Sequence, residues 1–572
     1  MLKIPYGESN FEHIRTGDFI YVDKTHFIEQ LEPIGKLIHL RPRRFGKSLF
    51  ISMLEAYYDV NMADKFDELF TGLYVHENPT EYKNNYYILR LNFSGIENNA
   101  FQSLHEGFVE VVYSGCQAFI DKYQLDLQLS TARSAATVLR SLLTAFAKLK
   151  LAHKIYILID EYDHFTNTLL TGDGHEFLEL LQKGGFVRSF YEVIKEQSER
   201  GIIERLFMTG VMSVTLDSMT SGFNVGTNIT TTEEFSDMMG FTRAEVTDIL
   251  THSFQKPGKR NEAVNLTLEE QTEILDIFTT HYNGYSFAKR ASEKVFNSTL
   301  IMYYMKHYLR SGYSPDNLVD DNLNQTGTTI ENIVTLKNAQ QNYRVIEEII
   351  EQKEVSGTLQ PFIKIEEKFD ENDLITLLFN IGLLTISGED METQFKIPNK
   401  IIEKIYLSYL KTLLQRESEY ELDLSKQKQA ITALGRHGEI HLLNQVVSEF
   451  LSHTSGRNKI NFDEKYIKLI YRMILAYTRQ LDVYDEFPAR QGYCDLFIQK
   501  TPSSTAKFEV LVELKYLKIS EGSESNIEAA LVEGIKQIQE YMRDERLVKR
   551  ESLRKYVVVY VGFEVVSVEE VE

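Results

Sequence analysis

Asp495 in Gly-Tyr-Cys-Asp-Leu-Phe-Ile, Glu513 and Lys515 in Val-Leu-Val-Glu-Leu-Lys, and Gln537 with Tyr541 form one ordered set near the end of the chain. Two carboxylates can share one or two magnesium ions, and a neighbouring lysine can position or help deprotonate an attacking water, which is the chemistry of phosphodiester hydrolysis. Glu513 and Lys515 are two residues apart on an expected strand, so their side chains leave the same face. Gln537 and Tyr541 are four apart and share one face of the helix that follows, where they would order the lysine, the water or a substrate phosphate. Glu464 on an upstream helix and Glu486 at a strand end are further candidate supports, each as an additional metal ligand.

A second set lies far upstream. Arg41-Pro-Arg-Arg-Phe-Gly-Lys-Ser48 ends in the residues a phosphate loop needs: Gly46 for the turn, Lys47 to reach phosphates, and Ser48 as a magnesium ligand. Arg41 stands where the general motif has its first glycine. Five apolar residues ending in Asp160-Glu161 predict a buried strand with carboxylates at its C-terminal end. Asp160 would hold magnesium, and Glu161 would polarise the attacking water. Thr209 is a candidate sensor of the terminal phosphate, and Arg43 and Arg44 are candidates to contact phosphate or to neutralise the nearby Asp and Glu.

Positioning these groups needs two α/β scaffolds. Residues 36–41 read as a strand and 47–58 as a helix starting at the Gly-Lys-Ser turn, the context a phosphate loop requires. Apolar runs at 86–93, 155–159 and 206–211, separated by helical stretches, predict a parallel sheet covered on both faces. This core is expected over residues 1–235. Residues 236–410 pattern as a helical lid or winged-helix-like region, and 411–455 as a connecting segment. Over 456–572 the expected order is helix 461–478, strands 481–486, 493–499 and 507–515, helix 525–546 and strand 555–561.

At 572 residues the chain exceeds one ordinary core, and about three domains of roughly 150 residues is the prior. The formal net charge of −21 opposes a broad basic surface, so a nucleic-acid partner would need a local groove. From residue 461 onward the balance is milder, 16 Lys plus Arg against 20 Asp plus Glu. Only Cys116 and Cys494 are present, too few for a disulfide scaffold or a thiolate zinc cluster. With no signal-like start and no apolar run near the roughly 20 residues that span a bilayer, a cytoplasmic protein without a membrane partner is expected.

Ile4-Pro-Tyr-Gly, Tyr21-Val-Asp-Lys-Thr25, Leu40-Arg-Pro-Arg-Arg-Phe-Gly-Lys-Ser-Leu49, Ile159-Asp-Glu-Tyr-Asp163, Thr209-Gly210 and Tyr282-Asn-Gly-Tyr285 together resemble the AAA-ATPase-like family that carries a C-terminal PD-(D/E)XK nuclease-superfamily domain. The resemblance runs from residue 4 to beyond 560. It implies a P-loop NTPase parallel sheet followed by a restriction-endonuclease-like α/β domain, with ATP and Mg2+ as cofactors, and in that family Arg at the first glycine position is usual. The expected function is an ATPase domain that regulates a metal-dependent nuclease, acting on nucleic acid with DNA favoured over RNA, with a homo-oligomer among the arrangements it allows. The alternative is a nucleotide-switched binding protein whose nuclease-like domain is catalytically inactive.

Overall fold

The computed structural model describes all residues except 97–100, 132–133, 165–184, 213–225, 260, 320–325, 336–337, 362–368, 455–462, 477, 479 and 491. The chain divides into two compact units, Met1–Gly312 with Glu331–Lys400, and Tyr313–Ile330 with Ile401–Glu572. The expected boundary at 235/236 thus falls inside the first unit, and the expected connecting segment 411–455 belongs to the second. No helix among the described residues is long and apolar enough to cross a membrane.

The first unit is built on a five-stranded parallel sheet of β1 (Lys36–Leu40), β2 (Tyr86–Asn92), β3 (Lys154–Asp160), β4 (Ile203–Gly210) and β5 (Thr227–Asn228), in the spatial order β2-β3-β4-β1-β5. Its strands are near-continuous apolar runs because helices Phe101–Lys122, Ala135–Leu149 and Gly185–Glu199 contribute to the same core. Leu89, Ile155, Ile157, Ile159 and Leu206 are all buried there, each worth about 1.5–3 kcal/mol of removed apolar surface. The crossovers carry β1 and β3 to either side of β4, and both strands end at the same edge of the sheet, where open α/β sheets bind ligands. Residues 236–312 and 331–400 of this unit carry several helices, with a hairpin of β6 (Phe254–Gln255) and β7 (Ala263–Val264). A small antiparallel sheet, β8 (Glu354–Gly357), β9 (Thr385–Glu389) and β10 (Thr393–Lys396) in the order β8-β10-β9, lies within the same stretch.

The second unit carries a mixed sheet in the order β11 (Leu481–Ala489), β12 (Gly492–Lys500), β13 (Glu509–Leu517), β14 (Leu553–Val561) and β15 (Glu564–Glu570). All neighbours are antiparallel except β13 and β14, whose parallel pairing requires the crossover helix Glu524–Tyr541. Gly534 lets that helix lie close, since a Cβ there would stand 2.5 Å from Val557. The expected elements are all found with shifted ends; the first helix runs Glu464–Ala476, and residues 461, 462 and 477 of its expected span lie outside the described residues. β15 was not expected, because Glu-Val-Val-Ser-Val-Glu-Glu at an exposed sheet edge lacks a strong apolar signal.

Candidate functional sites

In the first unit the chain leaves β1 and turns through Arg44 and Gly46, both left-handed at φ 75° and 90°, before entering the helix Lys47–Tyr58. Lys47 is buried, and its ammonium donates to the Arg41 and Pro42 carbonyls at 3.0 and 2.9 Å. Burial pulls its pKa down against the charges of Asp163, Glu161 and Asp160. Asp160 ends β3 fully buried, and neither carboxylate oxygen has a hydrogen-bond partner of ordinary geometry among the described residues. Burial raises its pKa, opposed first by the Ser48 hydroxyl facing it. Glu161 follows at φ 50°, with His164 at 3.4 Å; that contact lowers the Glu161 pKa. An orphaned buried carboxylate beside a lysine and a hydroxyl is a donor set that fits a magnesium-bound phosphate.

A cavity of about 440 Å³ opens over this loop. Arg43, Arg44, Gly46, Lys47, Ser48 and Glu161 line it together with the apolar Ile20, Tyr21, Met238 and Met302. An anionic head against cations and backbone N–H groups, with a flat apolar body against the remainder, is the ligand such a lining accepts.

Three upstream residues do structural work that their sequence context does not reveal. Arg41 faces away from the loop: its guanidinium donates to the Leu40, Thr230, Phe235 and Ser236 carbonyls and lies 4.2 Å from the Phe287 ring centroid. Asp163 accepts the Val211 and Met212 N–H groups at 2.9 and 2.6 Å, fixing the end of β4, and passes so near Gly210 that a Cβ there would stand 2.2 Å from it. Thr209 is fully buried, and its hydroxyl donates to the His39 carbonyl at 2.8 Å across the β1–β4 pair, so its one proton is directed into the sheet.

In the second unit, Asp463 caps the helix Glu464–Ala476 by accepting the Tyr466 N–H at 3.0 Å, which places Glu464 in the first turn and Lys468 one turn later. β12 and β13 are antiparallel neighbours, and this brings Asp495 beside Glu513. Asp495 Oδ1 accepts Lys468 Nζ at 2.6 Å, and Oδ2 accepts the Leu514 N–H at 2.7 Å. Glu513 Oε1 accepts Lys515 Nζ at 3.1 Å, while Oε2 is buried without a hydrogen-bond partner of ordinary geometry among the described residues. Burial, then the Asp495 charge, pushes the Glu513 carboxyl up to about 8. Burial lowers the Lys515 pKa, but the charge and hydrogen bond of Glu513 more than offset it and the net shift is upward.

The supporting residues divide. Tyr541 is buried and its phenol is raised by burial and then by the Glu513 and Asp495 charges. Gln537 has a buried, unpartnered Oε1. Glu464 contacts Lys468 at 3.0 Å and is raised by burial and by Asp495. Glu486 falls opposite Asp495 in the β11–β12 register, but it is exposed, sits at φ 49° and interrupts the ladder. Lys468 is the functional candidate that sequence reasoning missed; the available signal was its i,i+4 spacing from Glu464. Among the described residues no group of three or more His, Cys, Asp or Glu is arranged to hold a metal ion. The pair Asp495 and Glu513, with the orphaned Oε2, still fits a divalent cation whose remaining ligands are water, backbone carbonyl or substrate phosphate.

Comparison with known proteins agrees with both geometries. Residues 5–220 match the AAA-ATPase-like family described as "Predicted AAA-ATPase", and residues 462–570 match the PD-(D/E)XK nuclease superfamily. A curated relative from Azotobacter chroococcum mcd 1, named "Uncharacterized protein in vnfD 5'region", is 27% identical over 301 residues, 52% of this chain. The chain spans 51% of that relative's length.

Proposed function

We propose, from a chain that carries a predicted AAA-ATPase domain and a PD-(D/E)XK nuclease-superfamily domain, that ATP binding or hydrolysis in the first controls magnesium-dependent cleavage of nucleic acid, DNA in preference to RNA, by the second. The observation that carries the nuclease half is Glu513: a buried carboxylate with one oxygen on Lys515 and the other without a hydrogen-bond partner of ordinary geometry among the described residues, beside Asp495. The observation that carries the ATPase half is the unpartnered Asp160 facing Ser48 and Lys47.

Asp495 and Glu513 would hold the metal, which supplies Lewis-acid polarisation of the phosphate and a more acidic water. Lys515, kept charged by Glu513, orients that water or the scissile phosphate; Gln537 and Tyr541, one helical turn apart, would order the lysine, the water or the phosphate. In the first unit, Gly46, Lys47 and Ser48 would take the phosphates, Ser48 and Asp160 the magnesium, and Glu161 the attacking water.

The test is cleavage of labelled single- and double-stranded DNA and RNA with Mg2+ or Mn2+, with and without ATP, for the full chain and its Lys515→Ala variant. A loss of about 10²–10⁴-fold in the variant, the usual size for a positioned proton-transfer group, together with a change on adding ATP, is the expected result. Full cleavage by Lys515→Ala protein overturns the nuclease assignment. Cleavage by neither protein moves the reading to a nucleotide-switched binding protein.

A further inference from the structure

Lys468 is left without a role by the reaction just proposed, yet it makes the shortest contact in the second site. Asp495 has one oxygen on the Leu514 N–H and the other on the Lys468 ammonium, at 2.7 and 2.6 Å. The backbone bond belongs to the strand framework, so Oδ1 is the oxygen a metal would share with the buried Glu513 Oε2. The Lys468 ammonium sits on that oxygen, only 11% of its side chain exposed. It also touches Glu464, whose side chain is 37% exposed and one helical turn away. Two cations near one carboxylate oxygen repel each other strongly where the effective dielectric is low, so ammonium and metal compete for it.

We propose that Lys468 is a resident cation that competes with the divalent metal for Asp495, and that Glu464 receives its ammonium when the metal enters. The inference rests on the metal-site reading of Asp495 and Glu513. It makes Lys468 a positioning residue that sets metal affinity, and it turns Glu464 from a metal ligand into the alternative partner of the lysine. The i,i+4 spacing lets the ammonium leave Asp495 by rotamer change alone, with its helix in place.

The experiment is calorimetric titration of the full chain with Mn2+, without nucleic acid, for wild type, Lys468→Met, Glu464→Gln, the double variant and Asp495→Asn, with circular dichroism melts to confirm folding. Lys468→Met is expected to bind Mn2+ about tenfold tighter or more, since a buried positive charge has left the site. Glu464→Gln is expected to bind severalfold more weakly in the wild-type background and unchanged in the Lys468→Met background. Should Lys468→Met fail to fold, Lys468→Gln removes the charge while keeping a donor, with the same expectation. Unchanged or weaker binding in the folded Lys468 variant, with binding abolished in Asp495→Asn, overturns the competition while leaving the metal site standing. Equal weakening by Glu464→Gln in both backgrounds makes Glu464 a ligand and overturns its part. Undiminished binding in Asp495→Asn overturns the metal-site reading and the proposal with it.

Discussion

Each candidate site contains a buried cation, and the two cations have opposite surroundings. Arg41 in the first unit is held by four backbone carbonyls and an aromatic face. Burial outweighs the Asp237 charge that favours it, and its pKa falls to about 9. Lys468 in the second unit is held by carboxylates, and there Asp495 and Glu464 overcome burial and raise its pKa. Neutral acceptors make a cation a structural rivet; carboxylates make it an occupant of a site that another cation can claim. The same contrast runs through the lysines of the two sites. Lys47 rests on carbonyls and leaves Asp160 unpartnered, whereas Lys515 and Lys468 pair directly with the acids they accompany.

The strongest way to break this comparison is Arg41→Gly, which restores the residue general phosphate loops carry. If Arg41 is a rivet, the variant leaves four carbonyls short of a donor and the Phe287 ring uncovered, and denaturant unfolding should show a loss of about 4 kcal/mol. A loss under about 1 kcal/mol, with ATP binding altered, would give Arg41 a role at the phosphate instead.

Phe45→Ala comes next. Phe45 is 1% exposed and makes edge contacts with Tyr285 and Phe287 at 5.0 and 5.4 Å, joining the loop to Tyr282-Asn-Gly-Tyr285. A destabilisation of about 3 kcal/mol is expected by thermal melting, and an unchanged melt would mean the loop is not fastened there.

On the carboxylate side, Glu513 gives a pH signature. A carboxyl whose folded pKa of about 8 lies above its ordinary 4.5 keeps its proton on folding. The metal-free native state therefore loses stability as pH climbs between those values, by at most about 1.4 kcal/mol per pH unit. Glu513→Gln should remove that slope, so its advantage in melting temperature over wild type is small at pH 5 and greatest near pH 8. An advantage independent of pH would mean that the carboxyl is already ionised.

The smallest effect separates two roles for one hydroxyl. Thr209→Val should cost about 1 kcal/mol of stability through the lost bond to His39 and leave ATP hydrolysis intact. Hydrolysis lost with stability retained would restore the phosphate-sensor role.

Much of this architecture is legible in the chain. Lys36–Leu40 followed by a glycine turn and the helix at Lys47 reads directly, because strand, turn and helix are local and each has a compositional signal. Asp495, Glu513 and Lys515 are legible for a related reason: period-2 spacing fixes their shared face once the strands pair. β15 is not, since an exposed edge strand needs little apolar sequence and its pairing with β14 supplies what its residues do not advertise.

The residue types and local periodicities by themselves determined where the phosphate loop, the acid-ending strand and the Asp, Glu, Lys triplet lie. Only the tertiary structure decided what each charge faces. Arg41 turns to residues 230–236, Thr209 to β1, and Lys468 to an aspartate 27 residues further on. Those choices depend on burial and on which neighbours the sheet brings near, and burial is what turns a surface charge of little consequence into a rivet or a competitor.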